Sequence, residues 1–231
     1  MENEPNAYWE KWQHLIEAAA NFQGLVPGSV LIGGSAAALH LRHRFSFDAD
    51  HVLMNLQEQY EEVLDFLEGR DDWETARIHP PKLILGNFQG IETGIRHLRR
   101  TRPLETESIE RDGKELIIPT LPEMLRTKAW MVISRNATRD FIDVAALAKH
   151  IGIAESAEML KDIDVYYLDM IRGDQASPGL QLLRQLAEPG PYDLDAVNTS
   201  RYKGIQSPFD SWKTIQEICE ALATALADQL I

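Results

Sequence analysis

The sequence predicts an α/β (α+β) chain: a mixed sheet flanked by helices over residues 1–120, then a helical C-terminal domain over residues 121–231. Three observations carry this. Short apolar stretches with strand-like alternation recur up to Ile118. Apolar stretches of helical period are interleaved with them in the same half. Beyond Pro119 and Pro122 the strand patterns stop and helical ones take over.

Taken in order, Ala7–Gln23 places Trp9, Trp12, Leu15, Ile16, Ala19 and Phe22 at helical spacing, with Gly24 closing the segment. The Trp9/Trp12 pair reads as core packing. Ser29–Ile32 is a short strand, broken by Gly33-Gly34, and Ser35 starts an Ala- and Leu-rich helix to about Arg42. Asp48–Met54 is the next strand and Leu56–Leu67 the next helix. Strands follow over Trp73–Ile78, Lys82–Phe88 and Ile91–Leu98, then a hairpin turning at Arg111-Asp112-Gly113-Lys114. The second half predicts helices over Glu123–Ser134, Thr138–His150, Ala154–Ile171, Gly179–Leu186 and Phe209–Leu230, with breaks at Gly173–Pro178 and Glu188–Asp195.

Composition narrows the class. The 231 residues are 44% hydrophobic and 26% charged, as expected of a globular protein in water. No apolar run approaches the ~20 residues that span a bilayer, and the acidic N-terminal stretch is not a secretion signal. We therefore expect no membrane association. Cys219 is the sole cysteine, which excludes an internal disulfide or a cysteine zinc site and suits the cytoplasm. A formal net charge of −13 argues against broad nucleic-acid binding. Within that acidic chain, Arg96, Arg99, Arg100 and Arg102 form a basic cluster, read either as a solvated strand edge or as a track for phosphates. His40, His43 and His51 do not have the spacing of a zinc ligand set.

The chemistry is concentrated between Ile32 and Leu53. Asp48 and Asp50 lie one residue apart on an apolar strand, so they point to the same face with Cβ atoms about 6–7 Å apart. That separation suits a pair of divalent ions ~3.5–4 Å apart. Carboxylates on such a strand need a metal or a basic partner, and Arg42 and Arg44 are the nearby alternatives to a metal. Gly33-Gly34-Ser35 reads as a tight turn with Ser35 as N-cap, or as a phosphate cradle built from helix-start N–H groups.

Several motifs in matching order then resemble one family. Gly33-Gly34-Ser35, Arg44-x-Ser46-x-Asp48-x-Asp50, Ile91-Glu92, the Leu121–Lys128 segment and Arg139-Asp140-Phe141-Ile142-Asp143 look like the AbiEii-type nucleotidyltransferases, toxins of type IV toxin–antitoxin and abortive-infection systems within the polymerase-β-like superfamily. The resemblance covers residues ~29 to ~150. It implies a nucleotidyltransferase-fold catalytic domain (1–120) and a helical domain (121–231) that completes the nucleotide cleft. Asp48, Asp50 and Glu92 are implied as ligands of Mg²⁺ (or Mn²⁺), with Glu where the family's third acid is Asp. Gly33, Gly34 and Ser35 are implied to hold the phosphates of a nucleoside triphosphate substrate, and Lys128 to contact them. Arg139, Asp140 and Asp143 match a segment in which an aspartate supports that lysine or the nucleotide; spacing alone does not rank Asp140 against Asp143. Without the resemblance, Lys128 reads as a helix-surface lysine and the Arg139/Asp140/Asp143 set as an ion-pair network on one helix. The implied acceptor is a tRNA 3′ end or a protein hydroxyl, and a cognate antitoxin is an implied partner. An inert nucleotide-binding module and an antibiotic nucleotidyltransferase are the competing readings.

Overall fold

The computed structural model describes residues 4–111, 113–194, 199, 202 and 204–230. Three expected features fall partly outside them: the extreme N-terminal residues, Asp112 of the hairpin turn and Asp195 at the end of a break. The chain divides into two compact units, Met1–Leu39 with Phe45–Thr120, and His40–Arg44 with Leu121–Ile231.

The first unit is organised on a mixed five-stranded sheet. Its strands are β1 (Val30–Leu31), β2 (Asp48–Leu53), β3 (Trp73–His79), β4 (Leu83–Phe88) and β5 (Ile91–His97), in the order β1-β2-β5-β4-β3. β2 and β5 run parallel and the other neighbours antiparallel. Helices α1 (Glu4–Leu25) and α3 (Tyr60–Glu68) supply Phe22, Tyr60 and Leu67 to a core that also buries Leu53, Ile84, Phe88 and Ile95 of the sheet. Alternation explains the choice of face. His51 and Leu53 share their side of the sheet with Ile95, whereas Asp48 and Asp50 take the other side together with Glu92, Gly94 and Arg96. Helix α2 (Gly33–Leu41) follows β1, and the Ile32 N–H donates to the Asp50 carbonyl at 2.8 Å, which fixes the turn beside β2.

A two-stranded sheet, β6 (Thr106–Arg111) and β7 (Lys114–Pro119), completes the unit. Gln23 of α1 ties to it twice: its Nε2 donates to Ile117 O and its Oε1 accepts from Ile117 N, both at 2.8 Å. The side-chain amide thus satisfies a strand backbone as a neighbouring strand would.

The second unit is helical: α4 (Leu121–Arg135), α5 (Thr138–Ile151), α6 (Ile153–Leu160), α7 (Ile163–Tyr167) with a 3₁₀ turn to Met170, α8 (Pro178–Ala187) and α9 (Trp212–Leu230). α5 is its central helix, with Phe141, Ile142, Val144 and Leu147 fully buried. Pro122 sits in the first turn of α4 and Pro178 in that of α8, where a missing N–H costs nothing.

Helix ends shift by a few residues at several places, and two departures from the sequence reading are larger. The helix expected from Leu56 begins at Tyr60, because Leu53–Gln59 forms successive turns, with Leu56 N on Leu53 O and Glu58 N on Asn55 O. The helix expected over Ala154–Ile171 is broken after Leu160. Leu160, Ile163 and Tyr167 are buried at helical spacing, so periodicity suggested one segment. The break is a turn at Lys161 and Asp162, with Val165 N on Asp162 O, and just beyond it Asp164 Oδ1 accepts the Gly179 N–H at 2.6 Å, joining α7 to the start of α8.

One glycine on the core face is required by sterics. A Cβ at Gly86 would lie 2.6 Å from Glu74 O and 2.8 Å from Trp73 Cε2. Gly86→Ala should destabilise the protein by about 1–3 kcal/mol. Adding Trp73→Phe should recover only part of the loss, because the Glu74 carbonyl cannot move away. Urea titrations followed by circular dichroism check both; a Gly86→Ala variant as stable as the parent would contradict this packing.

Candidate active site

In the first unit, the parallel pairing of β2 with β5 places Asp48 opposite Glu92 and Asp50 opposite Gly94. Partners at one register project to one face, so Asp48, Asp50 and Glu92 emerge together on the side away from the α1/α3 core. Asp48 Oδ1 accepts from Ser46 Oγ. Asp50 Oδ1 accepts from Arg96 Nη2 at 3.5 Å, with Asp50 28% and Arg96 44% exposed. Of the two alternative partners expected from sequence, Arg42 and Arg44, the latter is bonded to Asp143. Gly94 has the space that Asp50 uses: a Cβ there would lie 2.9 Å from Asp50 Oδ1 and 2.7 Å from Leu85 Cδ2.

The glycine turn closes the other side of Asp50. Gly33 has φ +80°, a backbone region that L side chains avoid, and its Cβ position is 3.7 Å from Asp50 Cβ and Oδ2. α2 begins here, and its first-turn amides have no acceptor within the helix itself. The helix starts at Gly33, so Ser35 lies inside the first turn and is not the N-cap. It is buried, and its hydroxyl donates to Asp48 O at 2.6 Å. That proton ties the first turn of α2 to β2.

Among the described residues, no group of three or more His, Cys, Asp or Glu side chains forms a ready-made metal cage. The donor set still fits Mg²⁺ or Mn²⁺. These ions take hard oxygen ligands, keep several waters, and are commonly held by one or two carboxylates completed by substrate phosphates. Two half-buried carboxylates with a third exposed beside them are such a set.

β5 lies between β2 and β4, so Arg96 is not at a sheet edge, and Arg99, Arg100 and Arg102 follow the strand as the rest of the basic cluster. Arg100 leaves it: the side chain is buried, with Nε on Arg102 O and Nη2 on Pro103 O, at 2.8 and 2.9 Å. Arg96, Arg99 and Arg102 stay exposed. His51 is buried against Phe22, with ring centroids 4.7 Å apart, and burial pushes its pKa down to about 4; it is a neutral core residue.

Lys128, Arg139, Asp140 and Asp143 belong to the second unit. Lys128 is not a surface lysine. It is 5% exposed, and its Nζ lies 2.9 Å from Asp143 Oδ2. Asp143, 1% exposed, also accepts from Arg44 Nε and Nη2 at 2.8 and 2.9 Å and from His43 Nε2 at 2.7 Å. Burial alone would raise the Asp143 carboxyl, but Arg44, then Lys128 and His43, hold it well below the usual range. Burial pushes the His43 imidazole down despite Asp143. Asp140 has a different partner, Arg135, whose Nε lies 2.8 Å from Oδ2. Arg139 is exposed. The set is therefore not an ion-pair ladder along one helix, and of its two aspartates Asp143 is the one bonded to Lys128. His43 and Arg44 were not singled out as its partners in the sequence; the hint was a basic doublet four residues ahead of the acid pair.

No protein-family model matches the chain. It resembles the heme uptake protein MmpL11 of Mycobacterium tuberculosis at 32% identity over 136 residues, covering 57% of this chain and 13% of that protein. It resembles the mycolic acid-containing lipids exporter MmpL11 of Mycolicibacterium smegmatis at 28% over 170 residues, covering 70% of this chain and 17% of that protein. The chain thus spans less than a fifth of the length of these curated relatives. The solved structures similar to it include these two. One is an antigenic nucleotidyltransferase-like protein from Paracoccidioides brasiliensis, at TM-score 0.46 and 13% identity, covering 61% of this chain and 77% of that one. The other is the antibiotic-resistance factor ANT(2'')-Ia, at TM-score 0.47 and 12% identity, covering 72% of this chain and 96% of that one.

The two aspartates of α5 should separate by stability. Asp143→Asn leaves Arg44 and Lys128 buried without their anion and should cost about 3–5 kcal/mol. Asp140→Asn should cost less, because Arg135 is 37% exposed and can turn to water. What Asp143 adds to stability has the sign of a depressed carboxyl: present above the unfolded-state pKa of about 3.9, and lost as pH falls from there toward the lower folded value. Denaturant midpoints of both variants at neutral and acidic pH test this; equal losses would refute the ranking.

Proposed function

We propose that residues 1–120 form the catalytic domain of a nucleotidyltransferase, which moves a nucleoside monophosphate from a nucleoside triphosphate to a hydroxyl acceptor. The observation that carries this reading is the register of β2 on β5, with Asp48, Asp50 and Glu92 on one face. A divalent cation, Mg²⁺ or Mn²⁺, held there would stabilise charge on the transferring phosphoryl group. Asp48 and Asp50 are the ligands proposed for it. Glu92, exposed beside Asp48, adds a third oxygen donor and accepts the proton of the attacking hydroxyl. The Gly33-Gly34 turn and the first amides of α2 bind outgoing phosphate oxygens. Ser35 contributes by bracing the strand that bears the acids.

The motif resemblance supports a finer assignment: an AbiEii-type toxin working in the cytoplasm, with a tRNA 3′ end or a protein hydroxyl as acceptor and with Lys128 and its supporting Asp143 as nucleotide-binding residues. Arg96, Arg99 and Arg102, exposed after the acid-bearing region, support an anionic acceptor. The transport names of the curated relatives belong to much longer proteins. No described helix here is long and apolar enough to cross a membrane.

Incubation with each α-labelled nucleoside triphosphate, Mg²⁺ or Mn²⁺, and either total RNA or the protein itself tests the reading. Asp48→Asn with Asp50→Asn should lower label transfer by roughly 100-fold or more. Both side chains are half-exposed, so the unfolding midpoint should change little. Transfer at the parental rate in a folded double variant would refute the assignment.

A further inference from the structure

Arg96 has no role in the family motifs, yet it reaches the acid pair. It lies two residues beyond Gly94 on β5 and so on the face that carries Asp50. The bare Cα of Gly94 lets the Asp50 carboxylate lean over β5, where Nη2 of Arg96 meets Oδ1. The neighbouring acid is held differently, since Asp48 takes its bond from the neutral hydroxyl of Ser46. One member of the pair therefore has a permanent cation beside it.

We propose that Arg96 is a positioning residue: a resident counter-cation that aims the Asp50 carboxylate toward β5 and competes with the divalent ion for it. This rests on the reading of Asp48 and Asp50 as metal ligands. A guanidinium stays protonated at any working pH, so the competition does not depend on a titration. The contact is long and both partners are partly exposed, which makes it weak enough for a doubly charged ion to displace. Before metal arrives it screens Asp50 from its own neighbours, Asp48 and Glu92. Once displaced, the guanidinium remains on the face that carries the acid pair.

Mn²⁺ titration by electron paramagnetic resonance, without nucleotide and at low ionic strength, tests this on the full chain. Arg96→Ala should bind Mn²⁺ about two- to fivefold more tightly than the parent, because the competing charge is gone. Arg96→Lys, which keeps the charge, should stay close to the parent. Asp50→Asn should lose most of the binding. Parental or weaker affinity in Arg96→Ala, with Asp50→Asn still defective, overturns the role of Arg96 and leaves the acid pair as the metal site. Arg96→Lys binding as tightly as Arg96→Ala also overturns it, since charge would then not be the cause. Parental affinity in Asp50→Asn removes the metal reading itself, and this proposal with it.

Discussion

The parallel register of β2 on β5 is the constraint on which the first unit depends. Parallel neighbours cannot be joined by a tight turn and need a long crossover. Here the crossover is α3 with β3 and β4, the same elements that build the core against α1. The apolar set of β2 is thereby locked to the covered face. A slip of one residue would bury Asp48 and Asp50 among Phe22, Ile84 and Ile95 and expose His51 and Leu53. Core burial and acid placement are thus one requirement, which explains how two carboxylates persist on an otherwise apolar strand.

Close approach then shapes what the register delivers. Gly94 and Gly33 flank the Asp50 carboxylate, one with no room for a Cβ and the other in a backbone region that favours glycine. Ser35 reaches across from α2 to the Asp48 carbonyl. The Gly-Gly-Ser segment therefore works as a structural clasp on the acid-bearing strand.

What was legible in the sequence was whatever has a local period. Alternation placed Asp48 and Asp50 on one face, and the loss of alternation after Pro119 marked the change to helices. What was not legible depends on partners distant in the chain. Nothing in the spacing of Asp140 and Asp143 ranks them; their difference comes from His43 and Arg44, some hundred residues earlier. Arg96 and Arg100 look alike in a basic run, yet one faces an acid across the sheet and the other folds onto its own backbone. The break after Leu160 escaped because its apolar spacing continues through it, while α7 beyond it is tied to Gly179, fifteen residues further on.

The environments of the acids argue for a division of labour. Asp143 is fully buried and saturated: each oxygen accepts from two donors, and two of the three donor side chains are permanent cations. Such a carboxylate cannot leave its partners without stranding buried charge, so its function is to hold Lys128 and Arg44 in place. Asp48 and Asp50 are the opposite case, partly exposed, with Asp48 held by a neighbouring hydroxyl and Asp50 by a long contact to a half-exposed arginine. An acid that must exchange a resident partner for a metal has to be held firmly enough to be aimed and loosely enough to be released. Set against Asp143, the pair on β2 meets both conditions.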